Sequence, residues 1–361
     1  MNTFKLFKVS GAAALALSLS LTSCDQAADQ FQPDVLSSET TNALAPGETA
    51  SVYVSSNTTP VIGVFNVTNP ASVTSKTINV SNNDSDGIHF YPFGDAVFQL
   101  DRSTNVMKAY NNVSSLPNGA TPAPSATSTS DFTNGREIAF SSGRVIVAQD
   151  ADPSNGNLNK FLIYRSSPFS FSLQKSYTAN INLWGLQASG ENMYAVEDNS
   201  GNLAYYSNFF NKISGTMVAP DWKLTIAGLV RTHGIAYDEG SDIMVLTDVG
   251  DANSATDGAV HVITNFSSKA AAALAGGTTG TIALNQQIRI AGSNTALGNP
   301  VDVSFSAATN KIYVAERANG GGRLLIFDNP VSNGNPTPIA NVAFAGASAI
   351  VLKIQNGGVN F

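Results

Sequence analysis

The chain has a single cysteine, Cys24, in 361 residues. It therefore holds no internal disulfide and no thiol further along the chain to serve as a nucleophile. Charge is scarce as well, with Asp, Glu, Lys and Arg making up only 12%. The 19 Lys and Arg are scattered and outnumbered by 26 Asp and Glu, for a net charge of −7. Nucleic-acid binding needs clustered cations, so that class of partner is excluded, and the charge offers no attraction to an anionic membrane surface. Histidine occurs three times, at 89, 233 and 261. Their placement on separate strands argues against a three-histidine zinc centre. No GxSxG elbow, HExxH motif or phosphate-binding loop is present.

What remains is the make-up of a β-rich extracytoplasmic protein. Glycine (30) and proline (15) punctuate β-branched and aromatic runs, with Ser, Thr and Asn in the turns. At the N-terminus, Lys5 and Lys8 precede a short apolar run from Gly11 to Leu21, which is brief for a membrane span. Leu21-Thr22-Ser23-Cys24 follows and resembles the lipobox of bacterial lipoproteins. The resemblance implies a signal peptide over 1–23, a lipid on Cys24 and residence at the bacterial cell envelope, at the outer membrane or a periplasmic face. An ordinary signal peptide with a coincidental Cys is the alternative. Residues 24–47 are polar, contain Pro33 and Pro46 and lack strand alternation, so they read as a tether to one domain over 48–361.

That domain is repetitive. Lys311 to Asp328 reads as a strand, a glycine-rich turn and a second strand. Similar strands closed by polar residues include Val52-Tyr53-Val54, Val97-Phe98-Gln99, Val145-Ile146-Val147, Met193-Tyr194-Ala195 and Ile243-Met244-Val245. Aligned at positions 53, 98, 146, 194, 244 and 313, the copies recur at intervals of 45 to 50 residues, with one of 69. Each copy after the first has an apolar strand before it, such as Gly87-Ile88-His89-Phe90 or Gly234-Ile235-Ala236-Tyr237. A third strand and a weaker fourth follow. This period predicts an all-β propeller of six four-stranded blades, or seven if the insertion around Ser268 to Gly276 conceals a degenerate one. The first copy lacks an upstream partner. Ala347 to Lys353 is expected to pair with it and close the ring.

Val52-Tyr53-Val54-Ser55-Ser56-Asn57 with Val64-Phe65-Asn66-Val67 resembles the YVTN-type propeller repeat, and Ile312-Tyr313-Val314-Ala315-Glu316-Arg317 with Leu324 to Asp328 is similar to NHL repeats. The resemblance covers about residues 48 to 361 as a pattern. It implies the propeller fold, which serves as a binding platform, a scaffold or occasionally a hydrolase. Gln99-Leu100-Asp101 and Val245-Leu246-Thr247 depart from it in lacking the aromatic-Val pair.

In a propeller, the start of each inner strand and the end of the strand paired with it share one face. That face should collect Asp86, Arg136, Glu137, Trp184, Arg231, His233 and Asp302 from the inner strands. From the loops it should collect Asp101, Arg102, Asp150, Glu197, Asp198, Asp248, Glu316 and Arg317. Glu137, Trp184, Arg231, His233 and Asp302 are the channel candidates, and Asp198, Asp248 and Glu316 the loop acids. An acid that recurs at the end of a strand also fixes a turn by accepting amide hydrogen bonds. Two longer loops, with Asp150 and Asp152 in one and Asp251 and Asp257 in the other, offer hard oxygens suited to calcium, or are solvated acidic turns. Neither follows the EF-hand pattern. A divalent cation such as calcium is the only cofactor suggested, and no catalytic residue is assigned. The expected function is an envelope-anchored platform for a protein or glycan. The alternative is a metal-dependent hydrolase resembling the six-bladed lactonases, which hold one divalent cation at the axis. Glu137, Asp198, Asp248 and Asp302 are the acids able to approach it.

Overall fold

A computed structural model describes residues 44–355. The expected signal segment, Cys24 and the expected tether up to residue 43 lie outside the described residues. The remainder folds as a ring of six β-sheets, the blades of a propeller. The repeated column predicted from the sequence forms the second strand of each blade: Thr49–Ser56, Ala96–Asp101, Arg144–Gln149, Asn192–Glu197, Ile243–Asp248 and Lys311–Glu316. The inner strands of blades 2 to 6 are Ser85–Tyr91, Gly135–Ser141, Leu183–Ser189, Thr232–Asp238 and Pro300–Ser306. Blade 1 takes its inner strand from the far end of the chain. Ala347–Gln355 pairs antiparallel with Thr49–Ser56, as expected, and closes the ring.

Burial explains why the second strands read as near-continuous apolar runs. Each lies between two neighbouring blades and packs on both faces. Val52 and Val54 pack against blade 6, whereas Tyr53, one residue out of phase, packs against blade 2. The same alternation divides the interior into six hydrophobic wedges, one at each blade-to-blade contact. A fully buried Val, Ile or Phe is worth about 1.5–3 kcal/mol over its exposed state. A one-residue slip of a second strand would exchange its two faces and set Tyr53 where Val52 and Val54 now fit, so the cost of such a slip lies in the mismatch of side-chain size. Leu44 is already half-buried against the wedge between blades 6 and 1, so packing begins in the last residues assigned to the tether.

Two details differ from the sequence alignment. In blade 5, Val245 and not Met244 is the register equivalent of Tyr53, because Asp248 pairs with Thr232 as Glu197 pairs with Leu183. Asp242, aligned with a strand position, instead takes a left-handed turn conformation (φ 53°) in the hairpin turn before the strand, as Asp95 and Asn310 do in blades 2 and 6. The insertion behind the 69-residue interval holds no seventh blade. It forms the helix Phe266–Ala273 and the strand Thr279–Ile282, which pairs parallel with Trp222–Ile226 at the rim of blade 4. Met217–Val218 does the same for blade 3, and single bridges from Ala120 and Gly334 do so for blades 1 and 5. The connection from third to fourth strand of one blade thus covers the exposed edge of the blade before it, blunting edge-to-edge association. Among the described residues no helix is long and apolar enough to cross a membrane.

Candidate functional site

Every inner strand carries a register shift near its start. Such bulges free residues from the ladder and re-aim their side chains. The residues released are Asp86, Arg136, Trp184, His233, Val301 and Ser348. In blades 2 to 5 these are polar or aromatic, and they form a continuous chain across one face. Asp86 lies 3.3 Å from Arg102 and 3.6 Å from Arg136, which also reaches Asp150 at 3.2 Å. The Arg136 guanidinium stacks 4.1 Å over Trp184. The other partner of Trp184 is His233, parallel to it at 3.7 Å between centroids. His233 Nε2 is 3.0 Å from Asp198 Oδ1, and Arg231 grips Asp198 from Nε and Nη2 at 2.9 and 3.3 Å.

The electrostatics follow from this pairing. Burial opposes ionisation of Asp198, but the hydrogen bonds from His233 and Arg231 and their charges outweigh it and hold the carboxyl well below its usual range. Burial lowers His233 to about 4, so the imidazole is neutral near pH 7 and donates to Asp198. Burial raises Asp86 to about 6 against the pull of Arg102 and Arg136.

Just below the bulges lies a second ring of equivalent positions: Gly87, Glu137, Gly185, Gly234, Asp302 and Ala349. Here neighbouring blades touch backbone to backbone. A Cβ on Gly185 would stand 2.1 Å from the carbonyl oxygen of His233, and one on Gly234 would stand 2.7 Å from Cα of Asp302. Small residues are required in blades 2, 4 and 5, and the two acids come from blades 3 and 6, opposite each other. Asp302 accepts from the amides of Val303 and Ile350, both at 2.7 Å, and Glu137 from that of Ile138 at 2.7 Å. Burial, reinforced by the other acids, raises both carboxyls, Asp302 to about 7. The next ring is aliphatic: Ile88, Ile138, Leu186, Ile235, Val303 and Ile350. These residues and the ends of the inner strands enclose a cavity of about 440 Å³.

The five channel candidates therefore fall on two levels. Trp184, Arg231 and His233 join the polar mouth, and Glu137 and Asp302 sit in the throat beneath. The loop acids divide too. Asp198 belongs to the mouth. Asp248 accepts the amides of Val230, Arg231 and Gly250, and Glu316 those of Gly298, Asn299, Ala318 and Asn319. Both thereby hold turns. In the loops considered for calcium, the acids serve their surroundings. Asp150 pairs with Arg136, Asp152 caps a short 3-10 turn through Ser154, Asp251 binds Asn253, and Asp257 accepts the amide of Asp251. Among the described residues no three His, Cys, Asp or Glu side chains converge as a cation requires. His261 is buried in a third strand against Gln287 at 2.6 Å. Sequence reasoning overlooked the lower channel, where His89, Phe140, Gln187, Tyr237 and Phe305 line the cavity. Their signal was their place two or three residues past the throat position in the inner strands of blades 2 to 6.

Fold and site together define a six-bladed β-propeller with an ion-paired mouth above a carboxyl-lined throat. No family model matches the chain, and no curated protein does. Among solved structures it is similar to a chain in "Crystal structure of Nidogen/Laminin Complex", with a TM-score of 0.56 and 11% identity over 84% of this chain and 98% of that one. At that identity the likeness establishes the fold alone.

Proposed function

We propose that this protein is a binding propeller of the bacterial envelope. It is tethered to a membrane by a lipid on Cys24, and a protein partner docks over the mouth of blades 2 to 5. The observation that carries the reading is the closed pairing of that mouth. Asp86, Asp150 and Asp198 each have an arginine, and Trp184 lies between Arg136 and His233. This is a rigid, pre-organised polar surface rather than a set of free nucleophiles or metal ligands. It also favours a protein over a glycan, since Trp184 has no bare face left for a sugar ring. A chain of this fold in a structure titled as a complex is in keeping with such a role. The hydrolase alternative draws on Glu137 and Asp302 at the axis, with Asp198 and Asp248 committed elsewhere.

The test uses the full chain expressed in a bacterial host, cross-linked and purified from detergent-solubilised envelopes. Val230, 63% exposed beside Arg231, and Leu158, 41% exposed in the blade 3 loop that follows Asp150, are changed together as Val230→Glu and Leu158→Glu. The native chain should recover a protein that this variant loses at unchanged melting temperature. Equal recovery by both, or hits on a glycan array with no protein recovered, would overturn the reading. Cys24→Ser should move the protein from the membrane to the soluble fraction.

A further inference from the structure

We infer that the lower half of the central channel is a pocket for a small organic cation, an amine carrying an apolar body, with the ammonium at Glu137 and Asp302. The proposal does not depend on the mouth partner, because the cavity is lined by Glu137, Asp302 and the residues beneath them and by none of Asp86, Arg136, Trp184, Asp198, Arg231 and His233.

The cavity, at about 440 Å³, falls in the range of small-molecule clefts, roughly 300–1,000 Å³. Its two acids are unusual within this protein. Glu137 is 8% and Asp302 6% exposed, yet no Lys, Arg or His pairs with either among the described residues. The other buried acids have more partners: Asp86, Asp101 and Asp198 pair with cations, Asp248 accepts three turn amides and Glu316 four. Glu137 uses one oxygen on the amide of Ile138 and has no partner for the other. An unpaired buried carboxyl is costly in its charged form and stays protonated unless a cation arrives. One ammonium between the two would satisfy that open oxygen and favour ionisation of both acids. A divalent metal is a poorer fit, because three of the four carboxylate oxygens already hold amides of Ile138, Val303 and Ile350.

The wall suits the rest of such a ligand. His89 stacks on Phe140 at 4.8 Å and 17°, and Tyr237 and Phe305 line other sides. Aromatic faces attract cations and cover apolar groups. The titratable groups around the pair are Asp86 above it in blade 2, His89 below it on the same strand, and Tyr237 and Asp238 from blade 5. Burial lowers His89 to about 4, so it remains neutral and does not compete for the acids.

Calorimetry on the purified native chain with 2-phenylethylamine, tryptamine and hexylamine tests this, beside the neutral 2-phenylethanol and the ions Ca²⁺ and Mg²⁺. At least one amine should bind with release of a proton to buffer. The neutral analogue should bind at least about tenfold more weakly, as expected for loss of a buried charge-assisted contact. Glu137→Gln and Asp302→Asn, checked for native circular dichroism, should each weaken the amine by about tenfold or more. Equal binding of amine and alcohol, no amine binding at millimolar concentration, or heat from Ca²⁺ or Mg²⁺ alone would overturn the proposal. Unchanged amine affinity in Glu137→Gln and Asp302→Asn would overturn it too, by placing the ligand elsewhere.

Discussion

Asp302→Asn should reverse the sign of its effect on stability between acid and mildly alkaline pH. Burial raises this carboxyl from an ordinary value of 3.8 to about 7 in the folded protein. Between those values the folded state keeps a proton that the unfolded chain has lost. Stability from this group is therefore full below the unfolded value, declines as pH rises, and levels off above the folded one. A span of about three pH units at about 1.4 kcal/mol each sets an upper bound of about 4 kcal/mol. Asn has the shape without the charge. It keeps one acceptor but turns an amide toward one of the two N–H groups of Val303 and Ile350, at a cost of about 1–2 kcal/mol at any pH. The variant should then be about 1–2 kcal/mol less stable than the native chain at pH 4 and about 2 kcal/mol more stable at pH 8, crossing near pH 5. Urea unfolding followed by fluorescence of Trp184 and Trp222, at pH steps from 4 to 8, measures this directly. His89 and His233, both lowered to about 4 by burial, lose stability as pH falls from about 6.5, but they do so in both proteins and cancel in the difference. A pH-independent difference would refute the reasoning. So would strict additivity with Glu137→Gln, since two acids that repel one another must couple.

Three further outcomes follow from the packing. Arg231→Met leaves Asp198 buried with no cation and only the neutral donors His233 and Asn199, which should cost about 2–3 kcal/mol in urea unfolding, after allowance for the partial exposure of Arg231. Gly185→Ala places a methyl 2.1 Å from the carbonyl of His233 and should cost about 3 kcal/mol or more. Gly190→Ala, which meets nothing within 4 Å, should cost only about 1 kcal/mol for its positive φ. Removing the chain from Ala347 onward strips blade 1 of its inner strand. Light scattering should then report association through the open edge, and a stable monomer would contradict the role given to ring closure.

The strands, their pairing into blades and the closure by Ala347–Gln355 were legible in the chain. Alternation of period two and recurrence of a hairpin are local properties, written in consecutive residues such as Val52, Tyr53 and Val54. The face that gathers Asp86, Arg136, Trp184 and His233 could be read from topology as well. What the side chains do there could not. Asp198 finds its arginine in the next blade, 33 residues away, whereas Glu137 and Asp302, drawn from opposite blades, line one cavity with no cation paired to either among the described residues. Nothing near either acid distinguishes it from Asp248 or Glu316, which are quiet fixtures of turns. Local sequence determined that this chain would make blades. Only ring closure, by setting which side chains from distant blades share the axis and which are left without a counter-charge, decided where its chemistry lies.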